Sequence, residues 1–135
     1  TVAAGQAHNI LGILARSRGD HAAAAAHLER GLAVAETLPD PSSRIAALNN
    51  LALARADSGE LAEALTLAEQ ALALGIELGD RHREAALHNH RADILHRAGQ
   101  DEAAMSSLKQ AVAIYAEIGL EAGDWQPEIW KLTEW

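Results

Sequence analysis

Asn9, Asn49 and Asn89 stand forty residues apart, each inside a stretch of strong helix formers. A carboxamide carries a donor and an acceptor on one planar group, so it can pair bidentately with a peptide unit whatever that unit's side chain is. A row of three would read backbone rather than sequence. Asparagine is a mediocre helix former, because its side chain competes for nearby backbone groups, and its recurrence at one helical position needs a reason. The other reasons open to it are to tie neighbouring helices together or to face water.

Histidine is the second residue type with chemical capacity. His82, His88, His90 and His96 crowd one segment, and imidazole is both a metal ligand and a base that titrates near neutrality. Their spacing speaks against a metal site. On a helix His88 and His90 point to different faces, no His-Glu-x-x-His arrangement occurs, and His88 and His96 lie about 12 Å apart along the axis. His88 reads as a packing residue, and neither metal nor cofactor is expected. Asp93 and His96, three residues apart on one helical face, are better placed for polar contacts with a ligand. The remaining carboxylates fall at helix ends and on exposed faces. No phosphate-cradling Gly-x-x-x-x-Gly-Lys loop and no Gly-x-Ser-x-Gly elbow is present, and no enzymatic activity is expected.

Composition narrows the partners. The chain has 135 residues, a formal net charge of −8, no cysteine and no phenylalanine. Excess negative charge disfavours binding to a phosphate backbone, which depends on clustered Lys and Arg, so no direct nucleic-acid partner is expected. The lack of cysteine removes disulfides and thiol chemistry and fits a reducing compartment, for which the cytoplasm is the expectation. No apolar run approaches the ~20 residues of a membrane span, so no membrane partner is expected. The opening Thr1-Val2-Ala3-Ala4-Gly5 has no basic-then-apolar signal layout, and reads as a cut inside a longer protein.

The elements that must position these side chains repeat with the same period. Gly19, Gly59 and Gly99 recur in step with Ala24, Ala64 and Ala104, with Leu32, Leu72 and Val112, and with Leu38, Leu78 and Ile118. A period of this length marks stacked helix pairs. Within each unit a glycine suits the left-handed end of a first helix, and Asp20 can cap the helix that follows. Between units, Asp40-Pro41 is an N-cap with proline at the first helical position, Asp80 repeats the cap, and Gly79 and Gly119 can end second helices. The spacing predicts helices over residues 3–17, 21–38, 41–57, 61–78, 81–98 and 101–118, grouped as repeats at about 3–40, 41–80 and 81–119. A short seventh helix is predicted near the end, over about 125–135. It carries Trp125, Trp130 and Trp135 and either caps the array or docks another subunit. The fold class is all-α, an α-α superhelix of three helix-turn-helix repeats with a C-terminal capping helix.

With the glycines aligned, the units resemble tetratricopeptide repeats. Leu11-Gly12 matches that family's Leu-Gly pair and Leu51-Ala52 keeps it with alanine. Ala24, Ala64 and Ala104, and then Gly31, Ala71 and Ala111, match its small positions. The family's Trp is replaced by His8, Leu48 and His88, its Tyr by Ala15, Arg55 and Leu95, and Arg91 stands where Leu is usual. The longer period is similar to the repeats of kinesin light chains, LGN-like scaffolds and MalT-like sensor regions of bacterial ATPase regulators. Leu48-Asn49-Asn50-Leu51-Ala52 looks like the asparagine motif of the kinesin light chain type.

The resemblance implies that Gln6, Asn9, Ile13 and Arg16, with Ala46, Asn49, Leu53 and Ala56 and then Ala86, Asn89, Asp93 and His96, line a concave groove. Stacked asparagines in such relatives grip an extended peptide. The expected function is a non-catalytic protein- or peptide-binding module of a larger bacterial signalling or transcriptional regulatory protein. In it Asn9, Asn49 and Asn89 hold backbone, while Gln6, Asn50, Asp93, His96 and Arg97 tune selectivity. A structural alternative is self-association into a homo-oligomer through the open repeat ends or the tryptophan segment.

Overall fold

Three of the joints between helices close on the same pair of backbone hydrogen bonds. The Asp20 amide donates to the Ala15 carbonyl at 2.9 Å and the Gly19 amide to Arg16 at 3.0 Å; Glu60 to Arg55 with Gly59 to Ala56, and Gln100 to Leu95 with Gly99 to His96, repeat the pattern at the same lengths. This is the Schellman end of a helix, which requires a left-handed residue. Gly19, Gly59 and Gly99 supply it with φ of 75°, 81° and 77°.

The computed structural model describes residues 1–119. In them the order is α1 (Val2–Ser17), α2 (His21–Glu36), α3 (Pro41–Asp57), α4 (Leu61–Leu78), α5 (Arg81–Arg97) and α6 (Asp101–Glu117). The expected helix at about 125–135, with its three tryptophans, lies outside the described residues. Asp20, Asp40 and Asp80 all act as side-chain N-caps, accepting from the amides of Ala23, Ser42 and Arg83. At α4 and α6 the cap positions Glu60 and Gln100 make no such bond. The largest departure from the expected boundaries is at α2, which stops at Glu36, two residues short of Leu38, while the ends of the other helices agree within one residue. The cause is Pro39, whose ring disfavours helical backbone at the residue before it.

Each helix packs against its sequence neighbours, and the first helices of successive units also touch one another, α1 with α3 and α3 with α5. The second helices have no comparable contact. A stack held more tightly on one side curves toward that side, so α1, α3 and α5 form the inner wall and α2, α4 and α6 the outer one.

The core is a chain of clusters that straddle unit boundaries. Ala24 and Leu28 of α2 meet Leu51 and Ala54 of α3; Ile45, Leu48, Ala71 and Leu72 of the second unit meet Leu87 of α5; Ala64 and Ala68 of α4 meet Ile94. Leu28 and Ile94 are at most 1 % exposed, and truncating either to alanine belongs to the class of changes that cost ~2–5 kcal/mol. Alanine and glycine set the helix separation. A β-carbon at Gly12 would collide with the Leu28 side chain, and one at Gly75 would come within 2.9 Å of Leu87 Cδ1.

Ionic contacts repeat this inter-unit logic. Arg55, at the family's Tyr position, reaches Glu29 of α2, Glu63 of α4 at 3.2 Å and Glu60 at 3.4 Å. Arg91 reaches Glu69 of α4 at 3.1 Å and the buried Ser107 hydroxyl at 2.8 Å. Glu29 and Glu69 are equivalent positions, and each is taken by an arginine of the following unit. These carboxylates are about half exposed, so each contact contributes ~0–1 kcal/mol.

His88 is 7 % exposed and its Nε2 lies 3.7 Å from Glu84, a carboxylate that also takes Arg81 at 2.9 Å. Burial pushes the imidazole below its ordinary value, against the opposing pull of Glu84 and with a smaller push from Arg91. The unfolded chain then binds a proton that the folded chain resists, so stability is fully present above the ordinary histidine range near 6.5 and falls as pH drops below it. Thermal unfolding followed by circular dichroism from pH 7.5 to pH 5 is expected to show a falling midpoint, with a shallower fall in His88→Leu. Parallel slopes for the two proteins would remove this assignment.

Candidate binding groove

The asparagine row lies on the inner wall, and its members differ in how they are held. Asn49 is half-buried on α3, with its Oδ1 accepting from His90 Nδ1 of α5 at 3.0 Å. The bond requires the His90 tautomer protonated at Nδ1. Asn9 sits deeper against its own unit. Gly31 is the reason: a β-carbon there would come within 2.6 Å of Asn9 Oδ1, so glycine admits the carboxamide where Ala71 and Ala111 stand in the later units. Asn9 Oδ1 is buried without a hydrogen-bond partner. Asn89 is half-buried at the equivalent place on α5.

The other expected groove residues divide between two edges. Gln6 is exposed beside Asn9 at the edge formed by the helix starts. Ile13 is 47 % exposed, and Asn50 and Leu53 are half-buried on α3. At the opposite edge Arg16 of α1 and Arg97 of α5 both converge on Asp57 at the end of α3. Arg16 contacts both carboxylate oxygens, with Nη2 at 3.3 Å from Oδ1, and Arg97 Nη1 lies 3.0 Å from Oδ1. The Asp57 side chain is 17 % exposed. Burial raises its pKa, but the hydrogen bonds from Arg16 and Arg97 outweigh that and hold the carboxyl below the ordinary range. The Asp57 carboxylate stays ionised near neutrality, one negative charge between two guanidinium groups. Asp93 is half-buried on α5, and His96 Nδ1 pairs with Asp101 Oδ1 at 2.8 Å.

Asp57 and His90 carry interactions that sequence reasoning missed. A signal existed in the numbering, since Arg16 with Asp57 and Asn49 with His90 are both forty-one residues apart. These two pairs meet at one period plus one residue, while Arg97 meets Asp57 at one period. Between α1 and α3 the wall also opens into a cavity of about 370 Å³, with Gln6 and Asn9 on one side, Ser43 and Ala46 on the other, and Gly31 and Ala35 among its floor residues. Among the described residues no group of three His, Cys, Asp or Glu side chains is placed to hold a metal ion. No helix there is long and apolar enough to cross a membrane.

Solved structures share this architecture. A Podosopora anserina protein with nearly identical TPR-like repeats of the kinesin light chain kind aligns at TM-score 0.77 and 24% identity, over 95% of this chain and 60% of its own. BtubC (BKLC) from P. vanneervenii aligns at TM-score 0.71 and 23% identity, over 82% of this chain and 45% of its own. The N-terminal domain of stress-induced protein-1 from C. elegans aligns at TM-score 0.67 and 21% identity, over 84% of this chain and 86% of its own. The chain thus spans less than two thirds of the first two, and at these identities the likeness is one of fold. No curated protein matches the chain. The tetratricopeptide repeat profile matches residues 43–117, more than half of the sequence. With its glycine-framed helix pairs and small-residue crossings, the chain belongs to the tetratricopeptide repeat family.

Proposed function

We propose that this chain is a non-catalytic module that holds an extended segment of a partner protein along the inner wall of α1, α3 and α5. Tetratricopeptide repeats generally mediate protein–protein interaction, and the finer reading rests on the inner wall itself. The observation that carries it is Asn49, set on the middle helix of the wall and oriented by His90 from the next unit. That bond occupies the oxygen side and leaves the amide hydrogens to donate to a backbone carbonyl. Asn9 and Asn89 extend the row, and Gln6, Asn50, Asp93 and His96 border it. Arg16 and Arg97 set the charge of one edge through Asp57. The setting we propose is the cytoplasm, within a larger bacterial signalling or transcriptional regulatory protein of the kind whose sensor repeats this sequence resembles.

A panel of random dodecapeptides displayed on phage supplies a defined probe. Peptides selected on the wild-type chain are expected to lose about tenfold in affinity on Asn49→Ala, the scale of about 1.4 kcal/mol for a hydrogen bond and its orientation. Far-UV circular dichroism of the variant should be unchanged. Peptides that bind both proteins equally would count against the groove.

A second reading, self-association, is favoured by a different observation. On the outer side of α1, Ile10, Leu11 and Leu14 are 58 %, 45 % and 49 % exposed, whereas Leu51 and Ala54, equivalent to Leu11 and Leu14, are 4 % and 2 % exposed beneath α2. The α1 face is thus the open half of the interface that joins the units, and a second copy is the occupant we assign to it. α1 carries no acidic residue in a chain of net charge −8, so two such faces meet without opposed carboxylates. One helix face is small for an interface and predicts micromolar dimerisation or weaker. Sedimentation equilibrium from micromolar to near-millimolar concentration is expected to show a reversible dimer that Leu14→Glu abolishes. A monomer throughout, in both proteins, would overturn this reading and leave the face to other partners.

A further inference from the structure

The cavity between α1 and α3 has a counterpart at the next junction that the chain fills with its own side chains. There Ile45 and Leu87 pack together with Ala71 and Leu72, and Leu87 Cδ1 lies over Gly75. The equivalents of Ile45 and Leu87 at the first junction are Gly5 and Ala47. Ala47 is fully buried, but Gly5, which lacks the side chain that Ile45 brings to the second junction, lines the cavity of about 370 Å³ at the first, with Val34 packed at its other side. That volume lies at the small end of the ~300–1,000 Å³ of ligand pockets, enough for one residue of a peptide rather than several.

From this comparison we infer that the first junction is an anchor subsite for one uncharged aliphatic side chain of the bound segment, standing in for the Ile45 side chain. The inference rests on the groove reading and adds to it the class of residue recognised. The mouth opens on the inner wall, where Gln6 and Asn9 of α1 face Ser43 and Ala46 of α3. Asn9 Oδ1 has no hydrogen-bond partner, so a side-chain rotation toward a backbone amide of the occupant gains a hydrogen bond and breaks none. Asp40 contributes the one charge among the lining residues, and it is held ionised by hydrogen bonds from the Ser42 amide and hydroxyl. A negative rim with no cation among the lining residues discriminates against an acidic side chain.

Ala46 is exposed on α3 at the cavity wall, so Ala46→Leu fills the space from the surface without overpacking the core, while Ala46→Ser keeps it open. Dodecapeptides selected on the wild-type chain are expected to share an aliphatic residue. In fluorescence titrations, replacing that residue by alanine should cost about tenfold or more, the scale of burying one aliphatic side chain. Ala46→Leu should weaken the parent peptide similarly and make it insensitive to that replacement, with unchanged thermal unfolding, and Ala46→Ser should bind as the wild type does. Peptides weakened by Asn49→Ala yet indifferent to Ala46→Leu would overturn the anchor and leave the groove standing. Peptides indifferent to both changes, or a library with no binder, would overturn the groove and the anchor with it.

Discussion

The close helix crossings among the described residues depend on the near absence of side chain where the helices meet. Gly12 lies under Leu28, Gly75 under Leu87, and Gly31 under Asn9, while Ala24, Ala64 and Ala104, at most 1 % exposed, recur at one place in the second helices. Helices packed over such residues approach toward the ~8 Å lower limit of interaxial distance. Close approach lets a chain without phenylalanine bury continuous aliphatic clusters across its unit boundaries. It also brings the inner-wall side chains of one unit within hydrogen-bonding distance of the next. Packing and groove are two results of one steric condition.

Where a small residue changes identity, the local chemistry changes with it. Glycine at position 31 lets Asn9 sink toward α2, and alanine at position 71 goes with an Asn49 that reaches His90 instead. Gly5 in the place of Ile45 goes with an opening rather than a filled junction. Near-identical helices thus present different inner surfaces through differences of one to a few heavy atoms. Such differences are invisible to a fold-level likeness, which is why relatives of this architecture at about one-quarter identity speak to its scaffold and not to its ligand.

Much of the scaffold was legible before any coordinates because its signals are local. A glycine followed by an acidic cap, proline after Asp40, and apolar residues at helical spacing each act within one or two turns, and the helices lie where those signals place them. The largest departure, α2 ending at Glu36, has a local cause too, since Pro39 disfavours helical backbone at Leu38. The asparagine stripe was legible because it shares the period. Asp57 and His90 were not, because their partners come from other units, at one period for Arg97 and at one period plus one residue for Arg16 and Asn49, and which side chains meet depends on how far one helix is displaced along its neighbour. The opening beside Gly5 could be seen only once Ile45 was known to fill the equivalent place one unit later.

The Arg16–Asp57–Arg97 contact spans all three units from a single carboxylate. A stack of helix pairs ordinarily flexes as a series of independent joints, each unit sensing only its neighbours. A residue of the middle unit that grips both others at the inner edge links those joints mechanically. Opening the angle between the first two units pulls on the same carboxylate that restrains the angle between the last two. Part of the restraint on both angles is thus ionic and shared, a part that rising salt weakens while the aliphatic packing between units is untouched.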